Sequence, residues 1–300
     1  MNLLVTGAWS GAKENIDRLT QMGHTVAFLQ QEKDELPCTY DWVEGVICNG
    51  LFLTHPIERF ANLRYIQLTS AGFDRVPMDY VQTHGIEIHN ARGVYSIPMA
   101  EFALCGVLQV FKKSRTFFDN QKLHRWEKQR DLIELNGKTV CIVGCGSVGT
   151  ECVKRFKAFG CKNIGIDLFV REDENYTAML PLTALDATLP DADIVVLTLP
   201  LTEETKHLMN SERFAKMKQG SVLVNIARGA VVDTEALIAA LNGKLSGVVL
   251  DVFEEEPLAE SSPLWDMENV ILTSHNSFVG DGNTQRLSEV VFCNLCSTML

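Results

Sequence analysis

Three kinds of side chain able to do acid–base and anion chemistry sit just after apolar runs. Arg228 follows Val222–Ile226, inside Asn225-Ile226-Ala227-Arg228-Gly229. Asp251 lies near the end of Val248–Val252, and Glu256 comes five residues later in Asp251-Val252-Phe253-Glu254-Glu255-Glu256-Pro257. His275 follows Val270–Thr273. An arginine can hold a carboxylate through two parallel hydrogen bonds. A histidine can give or take the proton of a carbonyl or hydroxyl group near neutral pH. A carboxylate beside that histidine fixes its orientation and favours the protonated form. Singly, each has a plain reading: a surface charge, a solvated acidic turn, a structural histidine. Their shared position at strand ends is what gives the set meaning.

A glycine loop supplies the other half of the chemistry. Gly144-Cys145-Gly146-Ser147-Val148-Gly149 follows the strand-like Val140–Val143, and a helical segment follows with Val148, Cys152, Val153, Phe156 and Phe159 on one face. The next apolar run ends in Asp167, eighteen residues after Gly149. Strand, glycines, helix, strand and terminal acid in that order form a dinucleotide-binding signature. Gly144 permits the tight turn, Gly146 lets backbone approach a pyrophosphate, and Gly149 lets helix and strand pack closely. Asp167 can accept hydrogen bonds from ribose hydroxyls and would repel a 2′-phosphate, which favours NAD over NADP; Arg171, four residues on, pulls the other way. Gly7-Ala8-Trp9-Ser10-Gly11 also follows a strand, but Trp9 stands where backbone would meet phosphate, so it predicts an ordinary strand-to-helix turn.

The elements that must position these residues are short apolar runs alternating with helices. Leu3–Val5, Val46–Cys48 and Tyr65–Leu68 come first; Val140–Val143, Ile164–Ile166, Ile194–Leu199, Val222–Ile226, Val248–Val252 and Val270–Thr273 follow. Runs apolar on both faces predict parallel sheets covered on each side. Ser211 is the expected cap of a helix running to Lys218, and Asp233 of the next, with stops at Gly220 and Gly243. Ser96–Phe118 predicts one long helix with Pro98 in its first turn, and Thr284–Leu300 a last helix packing back on the first region. In an open parallel sheet, ligands bind outside the carboxyl ends of the strands. The glycine loop, Arg228, Asp251 and His275 are therefore expected to face one crevice.

Composition bounds the reading. At roughly 150 residues per domain, a chain of 300 residues predicts two domains. With 46% hydrophobic and 22% charged residues it is globular in composition. The net charge of −11 argues against nucleic-acid or membrane-surface partners, because no broad positive field is present. No apolar run approaches a membrane span, and Met1–Trp9 lacks the features of a signal peptide. Nine cysteines without framework spacing, with Cys48, Cys105 and Cys141 in apolar runs, predict buried reduced thiols and a cytoplasmic protein. The Cys293/Cys296 pair, and His84 with His89, lack a second ligand set, so no metal site is expected.

These residues together resemble the D-isomer-specific 2-hydroxyacid dehydrogenases. The resemblance runs over essentially the whole chain. It is carried by Ser70-Ala71-Gly72-Phe73-Asp74, Asn90-Ala91-Arg92-Gly93-Val94-Tyr95-Ser96 and Ala100-Glu101; by the glycine loop with Asp167; by Leu199-Pro200-Leu201-Thr202-Glu203-Glu204-Thr205 and Asn225–Gly229; and by Asp251–Pro257 with Thr273-Ser274-His275. It implies an α/β fold of two doubly wound parallel-sheet domains, a Rossmann-type NAD domain (97–277) inserted into a flavodoxin-like substrate domain (1–96, with 278–300 returning to it). It implies Arg228, Glu256 and His275 as catalytic residues. Cofactor contacts would come from Gly144, Gly146, Ser147, Val148, Gly149, Asp167, Leu199, Pro200, Thr205, Ile226, Ala227, Arg228, Asp251 and His275, with His207 peripheral. Substrate contacts would come from Ala71, Gly72, Tyr95 and Arg228.

The implied reaction interconverts a 2-oxo acid and a D-2-hydroxy acid with NAD, in a homodimer associating through the nucleotide domain. Phe73, Arg92, Trp126 and Trp265 are further candidates to shape the pocket. Two other readings stand beside it: a phosphite- or formate-type dehydrogenase, disfavoured by the complete Arg, Glu and His set, and an NAD-sensing corepressor-like binding protein, disfavoured by the lack of long flanking tails. Ser274 stands where the family commonly has proline, and Asn276–Gly280 is atypical.

Overall fold

Val46-Ile47-Cys48 and Ile194-Val195-Val196-Leu197 carry no polar side chain, so they suit only the middle of a sheet covered on both faces. The computed structural model describes residues 1–298 and puts both runs there, each fully buried. The chain divides into two units, Met1–Tyr95 with the chain from Gly280 onward, and Ser96–Val279. Among the described residues each unit holds one parallel sheet with helices, so the fold is α/β with sheets of five and seven strands.

The first unit comprises β1 (Asn2–Thr6), α1 (Ala12–Gln21), β2 (Thr25–Leu29), β3 (Gly45–Cys48), β4 (Tyr65–Leu68), α2 (Met78–Thr83) and β5 (Glu87–His89), in sheet order β2-β1-β3-β4-β5. Side chains alternate between faces along each strand. Leu4, Val46, Ile66 and Leu68 meet Phe52, Ile57 and Phe60 on one side. Leu3, Val5, Ile47 and Tyr65 meet Trp9 and the C-terminal helix Asn283–Thr298 on the other. Residues 299 and 300 of the expected last segment lie outside the described residues.

The turn Gly7–Gly11 is filled by protein. Trp9 is buried, its indole N–H donates to Ser288 Oγ at 3.2 Å, and its ring meets Phe292 edge-on at 5.9 Å. At the carboxyl ends of β1 and β3 the Glu32 carboxylate accepts from Asn49 N (2.6 Å), Gly50 N (2.7 Å) and Thr6 Oγ1 (2.8 Å). At the point of this sheet where a ligand would bind, a carboxylate of the chain itself already takes three protein donors.

The second unit runs α3 (Ser96–Phe111), α4 (Ser114–Lys122), β6 (Thr139–Val143), α5 (Ser147–Ala158), β7 (Lys162–Asp167), β8 (Ala178–Pro181), α6 (Leu185–Thr188), β9 (Ile194–Leu197), α7 (Ser211–Lys216), β10 (Ser221–Asn225), α8 (Thr234–Leu241), β11 (Leu245–Leu250) and β12 (Val270–Leu272). The order β12-β11-β10-β9-β6-β7-β8 turns outward from β6 in both directions, so the chain reverses direction across the sheet between β6 and β9. That is the doubly wound dinucleotide-binding arrangement, with its crevice at the reversal. Val140, Ile142, Val196, Val224 and Val249 pack on α3 and α5; Cys141, Val143, Val195, Leu197 and Leu223 pack on the opposite layer with Phe214, Leu237 and Leu241.

Several expectations are corrected. The long helix is two: Lys113 adopts φ 50, which ends α3, and its Nζ pairs with Asp131 at 2.5 Å while Lys112 Nζ donates to the Ile133 carbonyl at 2.8 Å. The cap of α7 is Asn210, whose side chain accepts from Arg213 N, and the helix stops at Lys216. β9 ends at Leu197, so Leu199 belongs to the following loop. The strands β2, β5 and β8 went unread because they are sheet edges with mostly half-exposed side chains. Cys105 is exposed on the outer side of α3, unlike Cys48 and Cys141. Among the described residues no helix is long and apolar enough to cross a membrane.

Close packing of α3 on the sheet depends on Gly106. A Cβ there would lie 2.5 Å from Val249 Cγ1, and a β-branched neighbour cannot swing away. Gly106→Ala is expected to lower stability by about 1–3 kcal/mol in urea unfolding, the cost of overpacking, despite alanine's better helix propensity.

Candidate active site

The glycine loop joins β6 to α5. Gly144 has φ +94, and a Cβ on it would lie 2.6 Å from Leu199 N. A Cβ on Gly149 would lie 2.2 Å from the Gly144 carbonyl oxygen, so helix and loop touch backbone to backbone. Gly146 differs: it is extended (φ −71, ψ −156), caps α5 without a side chain, and a Cβ there would meet nothing within 4 Å. The open side of Gly146, at the start of a helix of 12 residues carrying Ser147 and Val148 in its first turn, is where a ligand's phosphates can approach backbone N–H groups. The residues present therefore fit a dinucleotide.

Asp167 ends β7 beside this loop. Its Oδ2 accepts from Cys145 N at 2.6 Å and its Oδ1 from Phe169 N at 2.9 Å. Arg171 Nη2 donates to the Cys145 carbonyl at 2.6 Å. An anion and a cation thus bracket the backbone of one residue, Cys145. The Cys145 thiol points inward; burial pushes it up to about 11, so it stays a neutral packing group. Leu199 is buried against the loop. Thr205 Oγ1 donates to the Pro200 carbonyl at 2.8 Å and accepts from Thr202 N at 2.7 Å, which engages that hydroxyl in shaping the 200–205 turn.

After β10, the fully buried Asn225 organises the turn through Ile226 to Arg228. Its Nδ2 donates to the Arg228 carbonyl at 3.0 Å and its Oδ1 accepts from Ala227 N at 3.1 Å. Arg228 Nη1 donates to the Ala227 carbonyl at 2.7 Å. Spacing did not single out Asn225; the signal was a polar residue closing an otherwise apolar run.

Asp251 follows β11 and is buried. Its Oδ1 accepts from Thr273 Oγ1 (2.7 Å) and Asn276 N (2.7 Å), and its Oδ2 from Ser277 N (3.0 Å), while its carbonyl accepts from His275 N (2.8 Å). A carboxylate offers about four acceptor positions, so three protein donors leave room for one more. This clasp folds the loop after β12 and holds His275 at φ 52. The imidazole Nδ1 lies 2.8 Å from Glu256 Oε2, and Glu256 Oε1 accepts from Phe253 N at 3.0 Å. A second pair lies in the same acidic turn: His207 Nε2 is 2.7 Å from Glu254 Oε1. His207, expected to be peripheral, thus has a carboxylate partner that its position two residues past Thr205 did not signal.

In the first unit, Ala71 and Gly72 lie in the loop after β4, where Asn90 Nδ2 donates to the Ala71 carbonyl (2.7 Å) and Ser70 Oγ to the Gly72 carbonyl (3.0 Å). The Tyr95 hydroxyl donates to the Thr69 carbonyl. Arg92 and Phe73 are exposed. In the second unit Trp265 donates to the Ala259 carbonyl at 3.0 Å, and Trp126 is 95% exposed. Among the described residues no group of three or more His, Cys, Asp or Glu side chains could hold a metal ion. Asp251→Asn is expected to set an amide against backbone N–H donors, lowering stability by about 1–3 kcal/mol; hydrogen exchange should quicken first at Asn276 and Ser277.

Residues 104–277 match the family model described as D-isomer specific 2-hydroxyacid dehydrogenase, NAD binding domain. The chain is 38% identical over 248 residues to a glyoxylate reductase from Thermofilum pendens, covering 79% of this chain and 72% of that protein. Its structure is similar to a D-isomer specific 2-hydroxyacid dehydrogenase from Xanthobacter autotrophicus Py2 in complex with NADPH and MES (29% identity, TM-score 0.79, 97% of this chain and 92% of that one). It is equally similar to a D-lactate dehydrogenase from Aquifex aeolicus complexed with NAD and lactic acid (27% identity, TM-score 0.79, 99% and 95%). A glycine loop on a doubly wound sheet, a family match over more than half the chain and relatives aligned over most of its length lead to one conclusion: the chain is an oxidoreductase belonging to the D-isomer specific 2-hydroxyacid dehydrogenase family.

Proposed function

We propose that this protein interconverts a small 2-oxo acid and the corresponding D-2-hydroxy acid, using NAD in preference to NADP. Residues 97–277 hold the dinucleotide, and 1–96 with 278–300 form the substrate domain. The observation that carries the reading is the 2.8 Å contact between His275 Nδ1, after β12, and Glu256 Oε2, after β11, on the two strands that follow Arg228's β10 in the sheet. When bound, NADH supplies the hydride that reduces the carbonyl carbon. With Nδ1 engaged by Glu256, Nε2 is the nitrogen of His275 that exchanges a proton with the substrate oxygen. Glu256 orients the ring and balances its charge in the protonated form. Arg228 binds the substrate carboxylate and polarises the carbonyl.

The cofactor preference rests on Asp167, whose charge at the ribose end disfavours a 2′-phosphate. The resemblance to a glyoxylate reductase supports glyoxylate, hydroxypyruvate and pyruvate as the first acids to try. Purified protein with NADH and this panel is expected to show loss of nicotinamide absorbance, faster than with NADPH. His275→Ala should lower turnover by about 10²–10⁴-fold, the usual worth of a general acid, while NADH binding by fluorescence persists. Near wild-type turnover of that variant would end the acid–base assignment.

We also propose a cytoplasmic homodimer. The segment after α3 supports the dimer: Phe118 (60%), Leu123 (58%) and Trp126 (95%) are apolar and exposed, a set that a monomer leaves in water. Light scattering at micromolar concentration should give twice the chain mass, and Phe118→Asp with Trp126→Asp should halve it; a monomeric wild type would refute the proposal.

A further inference from the structure

Arg228 and Glu256 sit on separate loops, after β10 and β11, and the reaction needs them in fixed register. The turn after Arg228 (Gly229-Ala230-Val231) packs directly on the acidic turn: a Cβ on Gly229 would lie 1.8 Å from the Phe253 carbonyl carbon and 2.4 Å from Glu254 N. Contact alone permits sliding. His207 ties the two turns together. Its main-chain N–H donates to the Ala230 carbonyl at 2.7 Å, two residues from Arg228, and Met209 N continues the pairing to the Val231 carbonyl at 3.0 Å. Its imidazole Nε2 lies 2.7 Å from Glu254 Oε1, two residues from Glu256. From there the chain of contacts continues through Phe253 N to Glu256 Oε1 (3.0 Å) and from Glu256 Oε2 to His275 Nδ1 (2.8 Å).

His207 holds this place in a left-handed backbone conformation, φ 49. A non-glycine residue is seldom found there, and the strain persists only where the surroundings over-determine it. An ion pair whose side chains are 43% and 33% exposed contributes little to stability. The backbone bonds hold the strained residue, and the side-chain pair is explained by register rather than by stability.

We propose that His207 is a positioning residue: through its contact with Glu254 it sets the acidic turn, and with it the Glu256–His275 pair, relative to Arg228. The proposal rests on the acid–base reading of His275.

The test uses the full-length protein and compares Glu254→Gln, His207→Asn, His207→Gln and the His207→Asn/Glu254→Gln double variant with His275→Ala. Glu254→Gln leaves the strained backbone untouched. Asparagine tolerates the left-handed conformation but is too short to reach Glu254, and glutamine keeps an N–H donor that can. Expected is a fall in kcat of about tenfold for His207→Asn and Glu254→Gln, the scale of a small misplacement of reacting groups. NADH binding and melting temperature should stay near wild type, and the KM of the acid should move less than kcat. The double variant should be no slower than either single one, because both break one contact, and His207→Gln should recover part of the loss. Wild-type kcat in His207→Asn and Glu254→Gln, with His275→Ala inactive, would overturn the positioning role alone. A loss of kcat matched by a loss of melting temperature would make the pair structural, and additive losses in the double variant would show that the two side chains do not act through one contact; either result would overturn it too. Full turnover in His275→Ala would overturn the acid–base reading, and this inference with it.

Discussion

The Asp251 carboxylate is the constraint on which the carboxyl edge of the seven-stranded sheet depends. It is buried at the end of β11 and gathers Thr273 Oγ1 and the backbone N–H groups of Asn276 and Ser277, while its own carbonyl takes the His275 N–H. An anion removed from water is tolerable only when donors surround it. Here those donors belong to the loop that carries the histidine. One fold of the chain both solvates the charge and fixes the backbone that carries the imidazole. The left-handed backbone at His275 is the local consequence, held because the loop on either side of it is fixed.

Glycine governs the rest of that edge by letting backbone touch backbone. Gly149 lies against the Gly144 carbonyl, Gly144 against Leu199, and Gly229 against Phe253, at distances no Cβ could occupy. Gly146 is the exception within the same loop, since nothing lies where its Cβ would be. Three glycines are there to pack and one to leave space. Of these four, the space is at Gly146, and it opens at the start of α5.

The legibility of the elements followed their burial. Every central strand of the seven-stranded sheet was visible as an apolar run, because parallel strands covered on both faces admit little else. The edge strands β2, β5 and β8 have side chains shared between core and water, so their patterns resemble loops. The break between α3 and α4 was hidden for another reason. Lys112 and Lys113 are good helix formers, yet the helix ends where Lys113 turns left-handed, and their ammonium groups meet the Ile133 carbonyl and Asp131, partners about twenty residues away.

Within the site, the sequence alone determined identity and order: the glycines before α5, the acid closing β7, and Arg228, Glu256 and His275 each just past an apolar run. Covalent order and side-chain chemistry suffice for that, since a strand end is marked by where hydrophobicity stops. The tertiary structure decided which of these groups are held by protein. It turned Asp251 into a clasp, engaged the Thr205 hydroxyl within its own turn, set Glu256 on His275, and drew His207 to Glu254 across a gap in sequence of dozens of residues. Hydrogen bonds between loops depend on where neighbouring strands end in space, and that register is established by sheet packing rather than by any local pattern in the chain.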